Sequence, residues 1–181
     1  MSDFEIVEWL PRADTHLHQD LDGLSEVLHA CVHAGASVSF ILPFSTSDAL
    51  AFWRDKVLPT VTARSRRVLL ARLPGGRIAG TVQLDLATPP NQCHRAEVMK
   101  LLVHPTARRA GIARALMVAV EEAAHEEGRT LITLDTASDA AERLYASLGY
   151  KVAGVIPRYA RRAFTPELEG TTIMYKELCE R

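Results

Sequence analysis

The 181-residue sequence is poor in cysteine. Cys31, Cys93 and Cys179 are odd in number and widely scattered, which suggests neither a disulfide framework nor a CxxC metal knuckle. It also lacks a charge excess: the formal net charge is −1, too little to attract nucleic acid or acidic lipid without specificity. No apolar run approaches the roughly 20 residues that span a bilayer. Met1-Ser2-Asp3-Phe4-Glu5 is acidic and has no basic-then-apolar signal layout. Internal repeats, low-complexity stretches and breaks in composition are missing too. Together these absences predict one domain over residues 1–181, cytoplasmic, with reduced thiols and neither nucleic-acid nor membrane partners.

What is present is a run of legible elements. Residues 4–10 suit a strand closed by Pro11. Over 17–34, Leu21, Leu24, Leu28 and Cys31 stand at helical spacing before Gly35. Ser47 is expected to cap a second helix that Pro59 interrupts after about Leu58. Runs at 68–73 and 78–86 flank Pro74-Gly75-Gly76, a hairpin signal. A further strand covers 95–103. Ile112, Ala115, Leu116, Ala119, Val120 and Ala123 then share one face of a helix that Gly128 ends. A short strand at 130–135 follows, then a helix from Ser138 or Asp139 to Leu148, and closing strands at 151–156 and 171–175. Strands alternate with helices after a hairpin run, so the class is mixed α/β (α+β) with a partly antiparallel sheet.

The segment from Leu101 to Ala113 carries the clearest chemistry. A strand stops at Val103-His104-Pro105, the chain turns through Arg108, Arg109, Ala110 and Gly111, and a helix begins at once with Ile112 and Ala113. Such a helix start offers unpaired N–H groups and the positive end of its dipole, a site that suits phosphate. Gly111 admits a close backbone approach, and the two arginines add positive, fork-shaped donors. The pattern is neither a P-loop nor a GxGxxG fingerprint. On spacing alone, an ordinary strand-to-helix connection with two solvated arginines accounts for it equally.

Val103-His104-Pro105 with Arg108-x-x-Gly111-x-Ala113 resembles the acyl-CoA signature of the GNAT superfamily of N-acetyltransferases. Later parts follow in that family's order: Leu131 to Asp135, then Ala141-Glu142-Arg143-Leu144-Tyr145 and Leu148-Gly149-Tyr150. The resemblance implies a mostly antiparallel central sheet flanked by helices, whose two splayed strands take up acetyl-CoA as cosubstrate. It assigns Leu101, Val103, Arg108, Arg109, Ala110, Gly111, Ile112, Ala113, Ser138 and Ala141 to CoA binding. Ser138 stands where many members carry Asn. Segments 35–40, 95–101 and 134–136 resemble, more narrowly, members that confer toxin resistance. The implied acceptor is a small-molecule amine, an amino acid-like metabolite, antibiotic or β-lactam-type toxin; protein N-termini or lysines are the alternative. A monomer or homodimer is expected.

Acetyl transfer to an amine sets its own demands. An alkyl ammonium with a pKa of about 10 is only about 0.1% neutral at pH 7, so it must lose a proton before it attacks. The resemblance implies Glu97 and Asp135 as the basic or substrate-binding pair and Tyr145 as the acid that meets the departing thiolate. Each also has a plain structural reading. Glu97 could face water from an edge strand, Asp135 could cap the next helix, and Tyr145 could be a core tyrosine. Lys100 is expected to tune the site or face solvent. The segments 34–44 and 157–165, the latter with Arg158, Tyr159, Arg161 and Arg162, are candidate borders of the acceptor pocket.

Two rival readings remain. Asp14-Thr15-His16-Leu17-His18 resembles the metal-binding start of amidohydrolases, though such barrels are typically about 250 residues long. His29 and His33 share a helix face but lack the glutamate of a zincin motif. No metal is expected. A CoA-binding module without turnover is the second rival, against which Tyr145, Glu97 and Asp135 argue.

Overall fold

The computed structural model describes residues 3–11 and 15–178. Asp14 and Cys179 lie outside the described residues. Seven strands form one sheet in the order β1-β2-β3-β4-β5-β7-β6. They are β1 (Glu5–Glu8), β2 (Arg66–Arg72), β3 (Ile78–Asp85), β4 (Arg95–Val103), β5 (Leu131–Thr136), β6 (Lys151–Arg161) and β7 (Leu168–Glu177). Every pairing is antiparallel except β4 with β5.

Helices cover both faces. On one face lie α1 (Thr15–His33), α2 (Thr46–Ala51), the turn Phe52–Val57 and α3 (Leu58–Thr62), packed through Leu24 and Leu28 of α1 and Trp53 of the turn onto Val68, Leu70 and Leu102. On the other, α4 (Ile112–Glu126) buries Ile112, Leu116, Met117 and Val120 against Leu69, Val82, Leu84 and Ile132. The three-and-four spacing of α4 thus becomes a packed stripe, as its pattern predicts. The last helix, α5 (Asp139–Ser147), sits beside β5 with Tyr145 buried.

Three local expectations are corrected. Ser45, not Ser47, caps α2: its hydroxyl accepts from the Asp48 N–H at 3.1 Å, while Asp48 Oδ2 accepts from the Ser45 N–H at 2.8 Å. That reciprocal capping box needs an acidic partner three residues on, which Asp48 supplies for Ser45. Pro59 does not end the helical run. Phe52–Val57 widen into a π turn, the Leu58 N–H reaches the Trp53 carbonyl, and Pro59 falls in the first turn of α3. There its missing N–H costs little. Finally, β6 and β7 run longer than 151–156 and 171–175. Pro157 and Arg158, with φ +55, are absorbed as an irregularity between Ile156 and Ala160 on the outermost strand.

Two features of β4 matter most for the site. Its parallel pairing with β5 lasts only from Arg95 opposite Leu131 to Glu97 opposite Thr133, after which the strands part. Further on, Gln83 is opposite Met99 but Thr81 is opposite Leu102, so β4 carries an extra residue there. Lys100 takes up that bulge with φ +53.

Gly80 fixes how closely α4 can approach this region. A Cβ there would stand 2.8 Å from the Leu102 carbonyl oxygen and 3.1 Å from Ile112 Cγ2. Gly80→Ala is therefore expected to lower stability by about 1–3 kcal/mol, the cost of overpacking. The midpoint of denaturant unfolding checks this, and an unchanged midpoint would contradict so close a contact.

Candidate active site

The site is the gap left where β4 and β5 part. Beyond Glu97 and Thr133 neither strand supplies the other with backbone partners, although β3 still holds β4 and β7 still holds β5. An extended ligand entering the gap could pair with the free edge much as an added strand does. Leu101 and Val103 line this edge, each packed beneath against the α4-side core. The Val103 carbonyl already accepts from the Cys31 thiol at 3.3 Å and from Arg108 Nε at 3.4 Å. Those bonds tie the end of β4 to α1 and to the following turn. Burial pushes the Cys31 thiol pKa up, which suits a structural rather than a reactive role.

The turn after β4 has the form of an anion cradle. Arg109 and Gly111 are both left-handed, with φ +65 and +83. Gly111 is the N-cap of α4, no side chain caps that end, and its first turn holds no acidic residue. A Cβ at Gly111 would meet nothing within 4 Å, so open space lies over the turn. Arg108, Arg109 and Ala110 are exposed, and neither arginine pairs with a carboxylate among the described residues. Ile112 is buried in the core beneath, and Ala113 is half-buried on the helix's first turn. The residues present therefore fit the pyrophosphate of a CoA thioester: free N–H groups, a favourable dipole end and two guanidinium groups with no carboxylate partner among the described residues. On the far side of the gap, Ser138 Oγ accepts from the Ala141 N–H at 3.3 Å and so caps α5.

The three candidate catalytic groups stand at different depths around this gap: Glu97 at its closed end, Asp135 on β5 beyond it, and Tyr145 in the α4-side core. Glu97, the last β4 residue paired with β5, is half-exposed beside Arg95 at 3.5 Å. It lies on an interior strand, not an edge. Asp135 is exposed near the end of β5, where its Oδ2 accepts from the Thr171 hydroxyl at 2.8 Å. It caps no helix, since Ser138 does that. Tyr145 is 5% exposed, its ring 5.8 Å from that of Tyr150. Burial first, and then the charge of Asp135, push its phenol pKa well above the ordinary tyrosine value.

Sequence reading missed a row of polar residues beneath α1, on the strand next to β4. Thr81, Gln83 and Asp85 alternate with core-facing Val82 and Leu84, so they occupy the opposite face of β3, the α1 side. Arg66 donates to Gln83 Oε1 at 3.0 Å and to Asp85 Oδ2 at 2.8 Å, and Arg95 donates to Thr133 Oγ1 at 2.9 Å. The alternation of apolar and polar residues along β3 is the signal that would have shown this polar row. The segment 34–44 meets β4 where Ser39 accepts from Lys100 Nζ at 2.9 Å, and meets the β6–β7 hairpin where the Leu42 N–H donates to the Ala163 carbonyl at 3.0 Å. Arg162, however, faces Glu167 and Glu169 at 3.8 and 3.7 Å within its own hairpin.

The histidines do not build a metal centre of the amidohydrolase kind. His16 and His18 are exposed and two residues apart on α1, a spacing that does not bring helical side chains to one face. His29 and His33 stack at 4.1 Å, and His33 Nε2 lies 2.8 Å from the Phe44 carbonyl oxygen, tying α1 to the next loop. Among the described residues, no group of three or more His, Cys, Asp or Glu side chains could hold a metal ion. No helix of the described residues is long and apolar enough to cross a membrane.

Splayed parallel strands, a capless glycine-led helix and a mixed sheet define an acyl-CoA-dependent transferase fold. Comparison with known proteins agrees. Residues 64–152 match the family model "Acetyltransferase (GNAT) domain". An uncharacterized N-acetyltransferase in the hisH–hisA intergenic region of Azospirillum brasilense is 32% identical over 126 residues, 68% of this chain and 72% of that protein. Among solved structures, a GNAT superfamily phosphinothricin acetyltransferase from Sinorhizobium meliloti, in complex with acetyl-CoA, superposes with a TM-score of 0.77 at 18% identity, covering 97% of this chain and 89% of that one. A ribosomal-protein-alanine N-acetyltransferase from Brucella melitensis gives 0.75 at 20% identity, covering 96% and 99%. The chain belongs to the GNAT family of acetyltransferases. It is an acyltransferase, and the family's donor is acetyl-CoA.

The anion cradle generates a direct test. Gly111→Val forces a branched side chain into left-handed backbone and into the open space over the turn. It is expected to weaken acetyl-CoA binding about tenfold or more, equivalent to roughly 1.4 kcal/mol. Calorimetric titration of folded protein reads this; wild-type affinity would remove the turn from the CoA site.

Proposed function

We propose that this protein transfers the acetyl group of acetyl-CoA directly to the amine of a small molecule, an amino acid-like metabolite, antibiotic or β-lactam-type toxin. The observation that supports it most is the place of Asp135, on β5 beyond the last pairing with β4, where its charge reaches both the phenol of Tyr145 and the ammonium of Lys100. The narrower resemblance of segments 35–40, 95–101 and 134–136 to the tabtoxin resistance acetyltransferase favours a small acceptor, as does the fold shared with a phosphinothricin acetyltransferase. Acylation of protein N-termini is the second reading, favoured by the fold shared with a ribosomal-protein-alanine N-acetyltransferase.

In this reading Arg108 to Ala113 hold the pyrophosphate, and the edge at Leu101 and Val103 positions the pantetheine arm with Ser138 and Ala141 opposite. Asp135 or Glu97, directly or through a water, takes the proton that the acceptor ammonium must lose. The neutral nitrogen then bonds to the thioester carbonyl carbon, and the carbon–sulfur bond breaks. Tyr145 gives its phenolic proton to the departing sulfur. Direct transfer needs no acyl-enzyme, so Lys100 is not required as a nucleophile.

The raised pKa keeps Tyr145 protonated throughout the neutral range. Turnover should therefore rise with pH as the acceptor ammonium loses its proton, with no decline from Tyr145 until strongly alkaline conditions. Tyr145→Phe is expected to lower kcat by about 10²-fold or more, the scale of general acid catalysis, while acetyl-CoA affinity changes far less. Thiol release across amino acids, aminoglycosides and β-lactam amines provides the assay. Undiminished turnover in the variant would end the acid role, and tight acetyl-CoA binding without thiol release on any amine would point to a module that binds only.

A further inference from the structure

Charge pairing along the polar faces of β3 and β4 singles out one cation. Arg66 is matched by Asp85 at 2.8 Å and Arg95 by Glu97 at 3.5 Å. Lys100 is not matched. Its Nζ donates to the Ser39 hydroxyl at 2.9 Å and lies 5.9 Å from the centre of the Phe40 ring. Among the described residues no carboxylate stands within 4.0 Å of it. The charge of Asp135 reaches it from β5, but Asp135 Oδ2 already accepts from Thr171. An ammonium carries three donors, and Ser39 occupies one.

The backbone shows that the position is held deliberately. A lysine at φ +53 inside a strand is uncommon, because left-handed backbone favours Gly or Asn. The bulge it creates places Met99, opposite Gln83, and Lys100, against Ser39 and Phe40, on the same side of the sheet. Leu101 returns to the α4 side. Without the extra residue, Lys100 would point into the apolar core. Half-buried there without a counter-charge, its ammonium is disfavoured, and burial lowers its pKa. An anion arriving with the substrate would supply what the resting protein lacks.

We propose that Lys100 binds a carboxylate carried by the acceptor, so that the acceptor is a zwitterion of amino-acid type. This rests on the transferase reading above. The ammonium of such a molecule meets Asp135 and Glu97, and its carboxylate meets Lys100, a complementary arrangement of opposite charges set side by side. The hairpin arginine that competes for this role, Arg162, already faces Glu167 and Glu169.

The test needs no turnover. N-acetyl-L-amino acids, the products, and their carboxamides are titrated against the CoA-bound protein, using products with small, acidic, basic and aromatic side chains. In parallel, thiol release is compared for L-amino acids and their amides. For at least one side-chain class, the acid should bind more tightly than the amide by about tenfold or more, the scale of one charge-assisted hydrogen bond. Lys100→Met should erase most of that ratio, and Lys100→Arg should keep part of it. Ser39→Ala cuts the tie to the loop but spares the charge, so it should retain the preference. Equal binding of acid and amide in every class would overturn the proposal. So would a Lys100→Met variant that weakens both alike, which is the signature of a lysine that only fastens the Ser39 loop. Failure of the transferase reading looks different: no thiol release on any amine, while the product titration still decides the role of Lys100.

Discussion

The structure depends on how short the parallel pairing between β4 and β5 is. Three residue pairs, from Arg95 with Leu131 to Glu97 with Thr133, join two halves of a seven-stranded sheet. Past that point each strand is held from its other side, β4 by β3 and β5 by β7, so the gap cannot close by sliding one strand toward the other. Backbone donors and acceptors facing such a gap need partners. A ligand with an extended amide-bearing arm can provide them, which explains why a fold with an opening in mid-sheet is compatible with stability. The α4 core beneath and the α1 core above keep the two halves in one body despite the break.

The bulge in β4 is the second constraint, and it acts on side chains rather than on backbone. Strand residues alternate faces, so one inserted residue transfers every later side chain to the other side. Before the bulge, Ala96 and Val98 pack toward α4; after it, Leu101 and Val103 do so while Leu102 joins the α1 core. The polar side of β4 thus continues through Met99 to Lys100 and then ends in apolar packing. That change of register ends the polar face of β4 at Lys100. It also lets the end of β4 be gripped on one side by Cys31 and on the other by the helix that follows Gly111.

Much of this was legible in the residues and some was not, for physical reasons. The boundaries of β4 and the apolar stripe of α4 follow from periodicity and from a glycine at each end of the helix. The glycine-led turn reads as an anion site because its chemistry is local. What escaped is non-local or depends on competition between neighbours. Ser45 and Ser47 are equally good caps in isolation; Asp48 decides between them only by reaching back to Ser45. Pro59 reads as a helix breaker until a π turn shifts the hydrogen bonding by one residue. Nothing in the local sequence around Lys100 demands a left-handed residue, because its conformation is imposed by pairing with β3 on one side and by the lack of a partner on the other. The polar row could have been found: Thr81, Gln83 and Asp85 alternate with aliphatic residues, the mark of a strand whose second face meets something polar.

Asp135 links the proposed steps electrostatically. Its negative charge adds to the burial that raises the pKa of Tyr145 and works against the burial that lowers that of Lys100. In the proposed reaction a carboxylate at this position receives the proton of the acceptor ammonium, directly or through a water, and its charge disappears. The contribution it made to Tyr145 disappears with it, and the phenol becomes more acidic at the stage when the departing sulfur requires a proton. Burial alone would make Tyr145 a poor donor, since desolvation disfavours the phenolate whatever the state of the reaction. In the proposed reaction coupling to Asp135, the smaller contribution, makes part of that reluctance conditional. In that reaction this coupling favours loss of the acceptor proton before donation to sulfur, because one carboxylate stands close enough to Tyr145 for its charge to be felt there.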